Sequence, residues 1–176
     1  MERKELLERL RAQIHTDGYD VSVGEWMALY KQNELDLHPE FQKFNCWSNA
    51  QKTRFIETLL LAIPQAPILI MQRPDGVWDV YDGLERLSTI FQFMGILKDA
   101  SGNVVEPFAL QNPAYLPLEG KRWELQDEPE NSLNSAERFY LETANLPAKI
   151  ILEMAYRSIA SKWFQQSVVT QPQFSH

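Results

Sequence analysis

The 176-residue chain holds one cysteine, Cys46, so an intramolecular disulfide is excluded, and the thiol is expected to behave as a buried small hydrophobe. Histidine is nearly as scarce. His15, His38 and His176 lie far apart, and no Cys/His set has the spacing of a structural metal site. Basic charge is also in deficit, with 17 Lys and Arg against 24 Asp and Glu and a formal charge of −7. Nonspecific affinity for nucleic acid comes from Lys and Arg neutralising phosphates, so a protein that coats DNA unaided is excluded, and any DNA contact is expected through a partner subunit. No apolar run approaches a membrane span, and the N-terminus is too charged for a signal peptide, so a cytoplasmic protein with no membrane partner is expected. Internal repeats and low-complexity tracts are absent.

What the chain has is enough apolar residue, 44%, for one domain with a real core. The spacing of Leu6, Leu7, Leu10 and Ile14 predicts an amphipathic helix within residues 1–15. A domain is expected over 16–168 and a polar tail over 169–176. Ser22 to Glu25 and Ser48 to Gln51 are capping-box patterns, each ahead of a helix; the second helix carries Phe55, Ile56, Leu59, Leu60 and Ile63 and is ended by Pro64 and Pro67. Leu35 to Leu37 reads as a short strand. Ile68 to Met71, a turn at Arg73 to Gly76, and Val77 to Tyr81 read as a hairpin. Leu84 to about Leu97 reads as a helix, 111–125 as irregular chain, 127–134 as a solvated loop, and Ser135 to Thr143 as a helix with Phe139 and Tyr140 facing inward. Lys149 to Leu152 reads as a strand and Ala155 to Val168 as a last helix bearing Ile159, Trp163 and Phe164.

The stretch Asp82-Gly83-Leu84-Glu85-Arg86 joins the second hairpin strand to a helix with Leu84, Leu87, Phe91 and Met94 at helical spacing. A helix start leaves backbone N–H groups unpaired and carries partial positive charge, which favours an anion there, and Arg86 adds a bidentate fork. Gly83 permits a sharp turn or a close backbone approach. The plainer reading is an ordinary Asp-Gly turn, with Arg86 solvated or salt-bridged within it.

Three ordered segments carry a family resemblance: Pro39-Glu40-Phe41-Gln42-Lys43, then Phe55 to Pro67, then Asp82 to Ile90. Together they resemble the N-terminal domain of GmrSD-type modification-dependent restriction endonucleases, whose hallmark is an Asp-Gly-Gln-Gln-Arg turn after a strand. The resemblance implies an α+β fold of ParB/sulfiredoxin-like type, a small mixed sheet with packed helices. It also implies a nucleotide ligand, a nucleoside triphosphate with a divalent cation, and a role in defence against foreign DNA.

Carried over to this chain, the resemblance implies a site with Asp82, Glu85 and Arg86 as catalytic residues. Gly83, Arg86, Gln42, Lys43, Ser88 and Thr89 would bind the nucleotide and its phosphates, the last two through their hydroxyls. No residue is assigned as a dedicated metal ligand. The chain departs from the family at Leu84 and Glu85, where the hallmark has glutamines, and at Lys43, where it has arginine. Leu84 neither donates nor accepts a hydrogen bond, ionised Glu85 only accepts, and Lys43 lacks the planar fork. Two readings follow: a nucleotide-binding and nucleotide-hydrolysing domain, or a noncatalytic regulatory subunit of a defence or DNA-processing complex, with a protein partner or a second copy covering its apolar faces. No nuclease signature is present, so cleavage of DNA by this chain alone is not expected. The sulfiredoxin branch of this fold places a cysteine in the corresponding turn; Cys46 lies elsewhere, and redox chemistry is not expected.

Overall fold

The computed structural model describes residues 2–12, 15–38 and 46–152. The capping residues set the helix starts. Ser22 accepts the Glu25 N–H at 3.2 Å while its own N–H donates to the Glu25 carboxylate at 2.7 Å, opening α2 (Val23–Lys31) after α1 (Arg3–Ala12) and β1 (His15–Tyr19). Ser48 and Gln51 do the same for α3 (Asn49–Leu60), and Asn134 and Glu137 for α5 (Ser135–Thr143). Between them lie β2 (Leu35–Asp36), the hairpin β3 (Ile68–Gln72) and β4 (Trp78–Asp82), and α4 (Leu84–Phe93); β5 (Ala148–Leu152) follows α5.

The five strands form one mixed sheet in the order β1-β5-β3-β4-β2. β1 runs antiparallel to β5, β5 parallel to β3, β3 antiparallel to β4, and β4 parallel to β2. Alternation along the strands buries one face through Leu35, Ile68, Ile70, Val80, Ala148 and Ile150, against Trp26, Ile56, Leu59, Leu87, Ile90 and Phe91 of the helices. The indole of Trp26 also donates to the Leu146 carbonyl at 2.7 Å, tying α2 to the chain entering β5. The opposite face, with Asp36, Asp79, Tyr81 and Lys149, is partly or fully exposed. The class is α+β, as expected, and no helix among the described residues is long and apolar enough to cross a membrane.

Several expectations are corrected. β1 was not expected: Asp17, Gly18 and Tyr19 are all exposed on an edge strand, so no apolar alternation marks it. α4 ends at Phe93 rather than near Leu97, because Gly95 takes a left-handed φ of 73°. Phe139 and Tyr140 are 61% and 60% exposed, whereas Leu141 is fully buried, so α5 turns the other way. Cys46 is exposed, not buried. Within 127–134 a short 3₁₀ turn (Pro129–Asn131) precedes Leu133, which is buried. Leu6 and Leu7 of α1 are exposed, and the side chains of Leu10 and Ile14 lie outside the described set, as do the segment 155–168 and the tail 169–176.

The irregular stretch after Asn112 is held by a buried carboxylate. Glu57 of α3 accepts the backbone N–H groups of Ala114, Tyr115 and Leu116 at 2.8, 2.9 and 2.9 Å. Burial opposes its ionisation, but these three donors and the charge of Arg54 outweigh it, holding the carboxyl below its usual range.

Candidate functional site

The turn from β4 into α4 is shaped first by packing. A β-bulge shifts the β3/β4 register between Leu69 and Ile70, so that Asp82 pairs with Leu69, and the chain then enters α4 through Gly83 at φ 106°. A Cβ at this glycine would lie 2.3 Å from Ile68 Cδ1 and 3.1 Å from Arg86 Nη2, so the side of Gly83 that a larger residue would fill is already occupied. Arg86 Nη1 donates to the Ala66 carbonyl and Nη2 to the Pro67 carbonyl at 3.2 Å, so the guanidinium clasps the loop between α3 and β3. Burial lowers its pKa below the usual arginine range, with the nearby Asp82 charge opposing that shift. Asp82 itself is exposed and makes no ion pair with Arg86, so a salt bridge does not close the turn.

One electrostatic feature separates α4 from its neighbours. α2, α3 and α5 each have a capping box, whereas α4 begins at Gly83, which has no side chain to cap it. Its leading amides are presented without a side-chain cap beside a half-buried guanidinium.

Below the turn, α4 carries polar residues on its inward side. Glu85 Oε1 accepts the Cys46 N–H at 3.0 Å, and Ser88 Oγ donates to the Glu85 carbonyl at 3.3 Å. Gln92 accepts from Lys52 Nζ at 2.7 Å and donates to the Glu106 carbonyl at 2.8 Å. Lys52 is buried, which pulls its pKa down, while the Glu85 charge pulls it up. Ser88 and Thr89 are buried as well, and Leu84 packs against the core beside Leu87 and Phe91. The turn and helix thus bring together Asp82, Gly83, Glu85, Arg86, Ser88 and Thr89. Gln42 and Lys43 lie outside the described residues, with the rest of 39–45; that segment is bracketed by His38 next to β4 and by Cys46 on Glu85.

A family model, GmrSD restriction endonuclease, N-terminal domain, matches residues 23–169. The chain belongs to that family. No curated protein and no solved structure matches the chain. The GmrSD match begins at α2 and spans every element from there to β5, including the uncapped turn and the Glu85 to Gln92 stripe.

A second cluster in this GmrSD domain was not anticipated from sequence. On the open face of the sheet Asp36 of β2 stands directly opposite Asp79 of β4, and His38 follows two residues after Asp36. Arg73 Nη2 lies 2.6 Å from Asp36 Oδ2, 2.6 Å from Asp79 Oδ1 and 3.3 Å from His38 Nε2, which is itself 2.7 Å from Asp79 Oδ1. Like charges directly opposite one another repel, and the guanidinium offsets that repulsion. Its pKa is raised above the usual arginine range, first by the hydrogen bond to Asp79 and then, against burial, by that to Asp36. Burial opposes ionisation of Asp79, but the hydrogen bonds with His38 and Arg73 prevail and keep its carboxyl below the usual range. Asp36, His38 and Asp79 have the atoms and spacing of metal ligands, but the arginine already supplies the cation at their centre. The cluster borders a cleft of about 570 Å³, lined also by Tyr30, Lys31, Lys98 and Asp99, near the hairpin turn and so at the other end of β4 from Asp82. The signal in the sequence was the short spacing of Asp36 and His38, but only the β2/β4 register brings Asp79 to them.

Proposed function

We propose that this GmrSD-family domain binds a nucleoside triphosphate at the turn from Asp82 to Arg86 and hydrolyses it slowly, as part of a system directed against foreign DNA. The observation that carries the reading is the start of α4. Gly83 leaves the first-turn amides without a side-chain cap where the three capped helices have Ser or Asn, and Arg86 stands beside them. Amides without a side-chain cap and a guanidinium are the kind of donor set that phosphate oxygens need. Asp82 is an exposed carboxylate at the same turn and suits the divalent cation that accompanies a triphosphate. Glu85 would orient the attacking water, with Gln42 and Lys43 reaching the phosphates from the segment between His38 and Cys46. The protein would act in the cytoplasm and meet DNA through a partner subunit.

One observation favours a second reading, a noncatalytic regulatory module. Both terminal nitrogens of Arg86 already donate to the Ala66 and Pro67 carbonyls, which gives the arginine a structural role without any ligand. Phosphate release and nucleotide binding measured on the same preparation separate the two. Turnover above that of an Arg86→Met variant supports hydrolysis, binding without turnover supports the regulatory module, and absence of both refutes a nucleotide site.

A further inference from the structure

A cleft of about 350 Å³ opens between the turn that ends α3 and the chain joining α5 to β5, lined by Leu59, Ile63, Pro64, Gln65, Asn145 and Pro147. It lies at the same end of the sheet as the Asp82 to Arg86 turn. Ile68 links the two, since its N–H donates to the Pro147 carbonyl at 2.7 Å while its side chain packs against Gly83. Gln65 links them again, because the next carbonyl along the chain, that of Ala66, accepts from Arg86. The volume falls within the range of small-molecule sites, about 300–1,000 Å³, and the leucine, isoleucine and proline side chains make apolar walls.

Two amides in this cleft offer the same chemistry. Gln65 Nε2 donates to Thr58 Oγ1 at 3.2 Å and to the Ile63 carbonyl at 2.8 Å. The Thr58 hydroxyl donates its own proton to the Phe55 carbonyl, so it must accept from Gln65, and this fixes the orientation of the amide. Asn145 Nδ2 donates to the Asp20 carboxylate at 3.1 Å, and because a carboxylate only accepts, the second amide is fixed as well. Gln65 Oε1 and Asn145 Oδ1 are left as acceptors with no partner among the described residues. The ligand that suits such a cleft is an apolar ring with N–H donors on its edge.

We propose that this cleft takes the base of the nucleotide whose phosphates lie at the start of α4, with the Gln65 and Asn145 oxygens accepting from its exocyclic amine. The inference rests on the nucleotide reading above and adds a selectivity to it: bases with an exocyclic amine are preferred over bases without one. From Gln65 to Pro67, where Arg86 holds the chain, is at most about 7 Å, a distance that a sugar bridges. The base site uses none of the residues assigned to the phosphates, the cation or the attacking water.

The test is calorimetric titration of the full chain with ATP, GTP, inosine triphosphate and inorganic tripolyphosphate, each with Mg²⁺. Inosine triphosphate differs from GTP only in lacking the exocyclic amine, and tripolyphosphate has no base. Wild type is expected to bind ATP or GTP about tenfold more tightly than inosine triphosphate, and tripolyphosphate more weakly than the preferred nucleotide. Gln65→Met and Asn145→Leu remove the two acceptors and are expected to bring the three nucleotides within about twofold of one another. Melting curves set a titration temperature at which every variant is folded, and the wild-type comparison needs no variant. Arg86→Met is expected to weaken all four ligands. Equal wild-type affinity for ATP, GTP and inosine triphosphate overturns this inference alone, as does tripolyphosphate bound as tightly as the nucleotides, or a preference that survives in both amide variants. Binding of none of the four overturns the nucleotide reading and this inference with it.

Discussion

Gly83 stands against Ile68 so closely that a Cβ on the glycine would lie 2.3 Å from the isoleucine Cδ1. The backbone there is left-handed as well, at φ 106°. Gly83→Ala therefore combines a disfavoured conformation with overpacking against a fully buried side chain, and a loss of about 2–4 kcal/mol is expected from urea unfolding. A change below about 1 kcal/mol would mean that the turn does not hold this geometry.

Glu57→Gln should be among the most damaging isosteric substitutions in the domain. The carboxylate accepts three backbone N–H groups from 114–116, and an amide has one acceptor oxygen where the carboxylate has two. A loss of about 1–3 kcal/mol is expected, measured by denaturant titration, with proteolysis at 112–118 accelerated. Unchanged stability would refute the role given to Glu57.

The Asp79 carboxyl is held below the ordinary value of 3.8 by its hydrogen bonds with His38 and Arg73, against burial. A depressed carboxylate contributes stability that is complete above the unfolded value and is lost as pH falls through the folded one. The stability advantage of wild type over Asp79→Asn is thus expected to be present at about pH 5 and to shrink below about pH 4 as the carboxylate is protonated. An advantage that persists undiminished well below that pH would contradict the network.

Leu141 and its two aromatic neighbours give a direct contrast on one helix. Leu141→Ala, at a fully buried position, should cost about 2–5 kcal/mol, whereas Phe139→Ser and Tyr140→Ser, on exposed side chains, should each stay within about 0.5 kcal/mol. Thermal melts of the three variants check the orientation of α5.

What was legible in the sequence was local. Ser22, Ser48 and the Asp82-Gly83 pair mark element starts because caps and turns act within three or four residues. The end of α4 was not, since Ile96 and Leu97 continue the apolar pattern past a glycine whose φ is set by the turn. β1 was missed because an edge strand with both faces open needs no alternation. The Asp36, Asp79 and Arg73 cluster depends on strand register, which no short window contains. The Asp82 to Arg86 turn was recognisable, but its engagement by Ala66 and Pro67 depends on a loop some twenty residues away in sequence.

The central claim is that the uncapped start of α4 and Arg86 hold phosphate. Its most direct measurement is calorimetric titration of Mg²⁺-ATP and Mg²⁺-GTP into wild type and Arg86→Met at low salt, at a temperature where melting curves show both folded. The account expects saturable one-site binding of at least one nucleotide to wild type, weakened about tenfold or more in Arg86→Met. Equal affinity in the two proteins, or no binding to wild type, would contradict it.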